Sequence, residues 1–388
     1  MIPDLFKIFK EIIQNHITLK KLKKMKLKSI INFLIISVIF GLIGCSSKVK
    51  EENTTNSEPS MEEKDENIKL INKEADRKVE VWFGDELFTA YIYPLDLEKP
   101  VLYPINAPGN IAITRGFPLD PRPGERVDHP HHVGNWFNYG DVNGLDFWNN
   151  SYDIPVEKKS EYGKIKHTDI VSSSNGDNGT LEVKADWLNN EGEVLLKEET
   201  RFTFSENGNS RIIDRIVKLT AQEKAVSFKD NKEGAFAIRM ARELELPTDE
   251  ELILTDAKGN PTEVAKMDNT GVSGDYLNSN GTTGGDVWAK RANWCKLFGK
   301  KNGKTINVVI VDHPENPGYP TYWHSRKYGL FSANPLGQEV FSKGKEVLNF
   351  KLEPGQSTTF RYRIVVNTDD ELGKEAIDQV ASAFAQVQ

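Results

Sequence analysis

Three of the seven histidines in this chain, His129, His131 and His132, fall within four positions of the stretch Asp128-His129-Pro130-His131-His132-Val133-Gly134-Asn135-Trp136-Phe137. An imidazole titrates near neutral pH, so it can pass a proton or bind a metal. The proline inside the run and the glycine after it predict a turn that gathers imidazoles in one place. A second polar stretch, His313 to Arg326, adds His313, Tyr322, Trp323, His324 and Arg326. A third piece is Phe236-Ala237-Ile238-Arg239-Met240-Ala241, where Arg239 interrupts an apolar run. Aromatic rings beside carboxylates, amides and guanidinium groups are the makings of a sugar site, because rings stack on pyranose faces and planar polar groups take paired hydroxyls.

On this reading His129, His131, His132, Tyr322, His324 and Arg239 are the candidates for chemistry. Arg115, Trp136, Asp146, Trp148, His313, Trp323 and Arg326 are the candidates for holding substrate. Arg239 and Arg115 suit a substrate carboxylate, since a guanidinium fork meets it in two bonds. Plainer roles compete for the same residues. His129 could cap a turn beside Asp128, and the adjacent His131 and His132 point opposite ways if the backbone is extended. Arg239 could pair with Glu243 or Glu245, and Tyr322-Trp323-His324 could be core packing, although the surrounding prolines and glycine favour a surface loop. His167 reads as an exposed strand residue, and Cys295 as a buried small hydrophobe. Metal is a weaker use of these side chains: the His-x-x-x-His and Cys-x-x-Cys spacings of zinc sites are missing, and no cofactor is expected.

The elements that must position these groups are strands. Val79 to Phe83 and Leu87 to Tyr93 flank Gly84-Asp85, a hairpin signal. Lys164 to Ser172, Thr180 to Trp187, Val194 to Phe204 and Ser210 to Thr220 follow, separated by Asn/Gly turns. Phe360-Tyr362-Ile364-Val366 alternates with period two, which gives one buried and one solvated face. Ala235 to Ala241, Ile306 to Asp312 and Gly329 to Ser332 read as further strands, and only Glu371 to Gln388 repeats at a helical period. The pattern predicts an all-β fold, a large antiparallel β-sandwich with a C-terminal helix. Residues 104–155 and 267–295 read as long loops carrying function.

Charge and addressing narrow the function. A net charge of −7 and the absence of a basic block in the folded part argue against a nucleic-acid partner. Lysines from Met25, an apolar run over Ile30 to Ile43 and the ending Leu42-Ile43-Gly44-Cys45 describe a secretory signal over residues 1–44. The apolar run is shorter than the ~20 residues a spanning helix needs. The ending resembles a bacterial lipobox, which implies lipidation at Cys45, a membrane anchor there, and release toward the outer membrane because Ser46 follows. Residues 45–76 are polar and read as a disordered tether, which leaves 77–388 as a single folded domain.

Together, Tyr103-Pro104, Thr114-Arg115-Gly116, His129-Pro130-His131-His132-x-Gly and Gly140-Asp141-Val142-Asn143-Gly144-x-Asp146-Phe147-Trp148 resemble the bacterial PmoA-like family. So do His313-Pro314-x-Asn316-Pro317 and Tyr322-Trp323-His324-x-Arg326-x-Tyr328-Gly329-Leu330-Phe331-x-Ala333-Asn334-Pro335. The resemblance covers about residues 77–370 and implies a galactose-mutarotase-like supersandwich in secreted or lipidated proteins of glycan-degrading bacteria. Val133 and Asn135 depart from the Arg and Leu the motif would have. The family's name invokes a methane monooxygenase, and this chain lacks the several membrane spans of such a subunit. The expected chemistry is β-elimination on a uronic acid of an acidic oligosaccharide. An arginine neutralises the carboxylate, a histidine of the 129–132 cluster removes the C5 proton, and Tyr322 or His324 protonates the departing oxygen. The alternatives are a mutarotase-like epimerase using a histidine with Asp312 or Glu315, and a surface glycan-binding lipoprotein without catalysis.

Overall fold

The computed structural model describes residues 67–368 and 372–388. The signal segment 1–44, Cys45 and the tether as far as residue 66 lie outside the described residues. The tether ends sooner than its composition suggests: Ile68–Lys73 is a strand paired antiparallel with Lys78–Phe83. Its charged sequence hid it because it is an edge strand that buries only Ile68 completely.

Two large antiparallel sheets lie face to face. The first is nine-stranded, in the order Ile68–Lys73, Lys78–Phe83, Glu86–Ile92, Val101–Ala107, Asn135–Tyr139, Gly234–Arg239, Leu330–Asn334, Tyr322–Trp323, with Ile111–Ala112 beside Val101–Ala107. The second is eight-stranded, in the order Asp275–Asn278, Trp294–Lys301, Lys304–Asp312, Ser357–Thr368, Ser210–Ala221, Val194–Asn207, Gly179–Leu188, Lys164–Ser174. Their facing sides interdigitate: Phe236 stacks on Tyr362 at 4.5 Å and Phe137 meets Phe360 at 5.3 Å. Each such fully buried ring contributes about 1.5–3 kcal/mol through the area it removes from water. The C-terminal helix Lys374–Phe384 lays Ile377, Ala381 and Phe384 on Val309, Val311 and Val365 of the second sheet's other side. The architecture is therefore the antiparallel β-sandwich with a C-terminal helix that the period-two pattern implies.

The loop expected over 104–155 is interrupted by the central strand Asn135–Tyr139, which the histidine run enters directly. The segment 267–295 likewise holds the strand Asp275–Asn278. Sheet alternation then sets the site. Phe137, Phe236 and Phe331 point into the sandwich, while Trp136 and Ala237, paired across the strands, join a separate cluster on the opposite face. The histidine turn covers that outer face.

Candidate functional site

The turn is built around one carboxylate. Asp128 accepts from Arg239 Nη2 at 2.6 Å and from Arg115 Nη1, and both guanidiniums are buried. Arg115 also donates to the carbonyls of Asp128 (2.8 Å), His129 (2.9 Å) and His132 (3.2 Å), while Lys99 Nζ donates to the carbonyl of His131 at 2.8 Å. Almost every carbonyl of the turn is thus held by a buried arginine or lysine. His132 N–H closes it onto the His129 carbonyl at 3.0 Å. His129 takes a left-handed backbone, φ 42°, which costs about 1–3 kcal/mol in a residue with a Cβ and persists because its surroundings fix it. Burial alone would raise the Asp128 carboxyl, but the guanidinium of Arg239, the hydrogen bond from His129 and Arg115 outweigh it and hold the group well below the usual carboxylate range.

These contacts assign the imidazole tautomers. Ionised Asp128 only accepts, so His129 Nδ1, at 3.1 Å from Oδ2, carries a hydrogen and Nε2 is the ring nitrogen left for proton exchange. A guanidinium only donates, so His132 Nδ1 accepts from Arg239 Nη1 at 3.1 Å and its Nε2 carries the hydrogen. Indole Nε1 of Trp288 donates to His324 Nδ1 at 3.2 Å, which leaves the His324 Nε2 hydrogen facing Glu233 Oε2 at 3.5 Å. Burial, with Lys99 and His129 adding to it, pushes His131 down to about 2, and burial with Lys232 pushes His324 to about 3. Both rings are neutral at physiological pH. His129 is the accessible member, with 40% of its side chain exposed.

The two polar stretches meet. His129 stacks on Tyr328 at 5.0 Å, and Arg239 lies 4.9 Å from the same ring. Tyr328 sits in the short turn between the strands Tyr322–Trp323 and Leu330–Asn334, closed by Arg326 N–H to Leu330 O at 2.8 Å and by Gly329 at φ 80°. Trp288, Arg326 and Tyr328 line a cleft of about 700 Å³, with the Arg326 guanidinium 5.6 Å from the Trp288 ring and 5.9 Å from Tyr328. Burial pushes the Tyr328 hydroxyl up to about 12, so it keeps its proton.

Several expected roles change. Arg115 and Arg239 spend their donors on Asp128 and the turn, so they organise the site rather than meet a substrate carboxylate. Arg239 pairs with neither Glu243 nor Glu245; Arg126 and Arg242 hold Glu245 instead. Trp136, Trp148 and Trp323 are completely buried and offer no stacking platform: the first two pack under His132, and Trp323 donates to Ala292 O. Tyr322 bonds to Glu346 and lies under Arg291, apart from the histidine turn in its contacts. His313 packs edge-on against Phe384 of the C-terminal helix and accepts from Glu315 N–H. Asp146 accepts from the N–H groups of Trp148 and Asn149 and holds its own loop. Asp312 is buried on Asn316 and Thr321, and Glu315 pairs with Arg361, so both are engaged away from the histidine turn. His131 and His132 lie in a turn, their rings 4.3 Å apart, rather than on opposite sides of an extended segment. His167 is half-buried against Tyr91 and Tyr93. Cys295 is buried, and burial pushes its thiol up.

Five residues of the site were not among the candidates, and of these Asp128 was named only as the neighbour of His129. Tyr328 had a signal, two positions after Arg326 in the same turn. Glu233 adjoins the strand carrying Arg239, and Trp288 lies in a segment already marked as functional. Lys99 had none, since a lysine before a proline reads as surface. Among the described residues no group of three His, Cys, Asp or Glu is placed to hold a metal ion, and no helix is long and apolar enough to cross a membrane.

Comparison with known proteins gives a family. The chain belongs to the one described as "Family of unknown function (DUF6807)", whose family model matches residues 78–382. The PmoA-like name is not part of that match. No curated protein matches the sequence. Similar solved structures include an α-galactosidase from Geobacillus stearothermophilus, 10% identical, TM-score 0.34, covering 78% of this chain and 40% of that one. A putative aldose 1-epimerase from Escherichia coli K12 is 8% identical, TM-score 0.30, with 78% and 98% covered. A galactose mutarotase-like protein from Clostridium acetobutylicum is 13% identical, TM-score 0.28, with 78% and 99% covered. The chain spans about two fifths of the α-galactosidases it matches, 41% and 40% of their lengths.

Proposed function

We propose that this member of the DUF6807 family is a carbohydrate-active enzyme that carries out β-elimination on a uronic acid of an acidic oligosaccharide. The observation that carries the reading is the Asp128–His129 pair, anchored by two buried arginines, with its exposed ring against Tyr328 in the wall of a cleft that also presents Trp288 and Arg326. Arg326 neutralises the substrate carboxylate and so acidifies the C5 proton. His129 Nε2 removes that proton, the C4=C5 bond forms as C4–O breaks, and Tyr328 gives its proton to the departing oxygen. Loss of the 4-hydroxyl as water makes the protein a dehydratase; loss of a glycosidic oxygen makes it a lyase. An anchor at Cys45 would hold this chemistry at the cell envelope.

One observation favours a second reading. Glu233 and His324 form a carboxylate–imidazole pair of the kind that could move protons between a ring oxygen and an anomeric hydroxyl, as a mutarotase-like epimerase requires. Ultraviolet absorbance during incubation with uronate oligosaccharides separates the two, because only elimination creates a conjugated carboxylate. A rise with a product lighter by one water means dehydration, and a rise with chain cleavage means a lyase. A flat trace with anomers interconverting faster than in buffer would replace elimination by epimerisation.

A further inference from the structure

A second groove lies where the two sheets meet, at the end of the strand Glu86–Ile92 and beside the edge strand Lys164–Ser174. It consists of an inner cleft of about 240 Å³ and an outer one of about 750 Å³ that share Arg77, Tyr93 and His167. The Tyr93 and His167 rings lie 3.9 Å apart at 32° and make one aromatic wall. The wall is fixed from beneath. The Tyr91 hydroxyl, which burial keeps protonated, lies 3.1 Å from His167 Nδ1 and holds the imidazole in place. Tyr93 N–H donates to the Arg77 carbonyl at 3.0 Å, which ties the arginine to the ring.

Charge divides the groove. The inner cleft is lined by Arg77, Lys164 and Lys166, all exposed, while its acid, Glu98, is paired with Lys159. Glu74 and Asp169 line only the outer cleft. A ring wall, a neutral imidazole N–H and uncompensated cations at one end are the means by which a protein holds one charged pyranose.

We propose that this groove is a second glycan-binding site, which seats a carboxylated sugar with its charge in the inner cleft and the neighbouring sugar in the outer one. Apart from Lys99, which lines the inner cleft and holds the His131 carbonyl, none of its lining residues belongs to the histidine turn. The choice of an acidic glycan rests on the reading above; the groove and its charge do not. A site of this kind on a sugar-degrading protein keeps a long anionic chain at the surface between turnovers.

The test is titration calorimetry of the full chain carrying His129→Gln, with tetragalacturonate and tetraglucuronate and their carboxyl-reduced, neutral counterparts. The expected result is two sites for an acidic tetramer. One of them weakens at least about tenfold in Arg77→Gln, as loss of a hydrogen bond to a charged group would produce, and weakens in Tyr93→Ala, which removes the ring wall. The same site is lost on carboxyl reduction. Lys166→Gln, on an exposed strand face, gives the same direction without risk to folding. A single site, or two sites indifferent to Arg77, Tyr93 and Lys166, overturns the proposal. Failure is separable from that of the catalytic reading: groove binding without turnover in the unaltered chain removes elimination and leaves the groove. Turnover with groove variants binding normally does the reverse.

Discussion

The imidazole of His129 and the phenol of Tyr328 lie ring on ring, 5.0 Å between centroids and 8° from parallel. One ring comes from the turn over the outer sheet face and the other from a short turn far along the chain. Their stacking sets an imidazole against a phenol that keeps its proton, at the wall of the cleft lined by Trp288 and Arg326.

If His129 is the base, His129→Gln should lower turnover of a uronate oligosaccharide by about 10²–10⁴-fold, the usual contribution of a positioned general base. Substrate affinity should change little. Turnover within a fewfold of the unaltered chain would remove His129 from the chemistry.

Arg326 is exposed in the cleft, so its loss should be felt in binding before chemistry. Arg326→Gln should raise KM for an acidic oligosaccharide about tenfold or more, as loss of a charge-assisted contact would, and leave thermal stability unchanged. An equal effect on a neutral oligosaccharide would mean that the charge of Arg326 is not what it contributes.

Asp128→Asn leaves two buried guanidiniums without their anion and should destabilise the fold by about 3–5 kcal/mol, measurable in denaturant unfolding. Tyr322→Phe loses the hydroxyl's contacts with Glu346 and Arg291, away from the histidine turn, so it should cost about 1 kcal/mol and keep turnover within twofold.

His324 supplies a pH test. Burial and Lys232 bring its folded value to about 3, below the ordinary 6.5, so the unfolded chain binds the extra proton first. Its contribution is complete above about 6.5 and falls by up to about 1.4 kcal/mol per pH unit as the solution becomes more acid. The stability lead of the unaltered protein over His324→Gln should therefore shrink between pH 7 and pH 5. A lead that stays constant across that interval would mean that His324 charges in place.

The strands were legible because period two survives wherever one face is buried, as in Phe360-Tyr362-Ile364. Ile68–Lys73 was hidden because an edge strand needs little apolar sequence. The histidine turn was legible from residue type and from the proline and glycine around it. The direction of its side chains was not. Whether Trp136 stacks on a sugar or fills a core depends on which sheet face it takes, and Arg115 and Arg239 look free until Asp128 is placed between them. Glu233 meets His324 only through the pairing of strands distant in sequence.

The Arg115–Asp128–Arg239 clamp separates two things that many loops must do together. The histidine turn keeps its shape through buried bonds, whereas Trp288 and Arg326 stand on other segments across the cleft. If the chain carries out the proposed elimination, substitutions at those two positions should change sugar preference while the histidine turn keeps its geometry, which makes the cleft wall the place to begin in changing what this scaffold accepts.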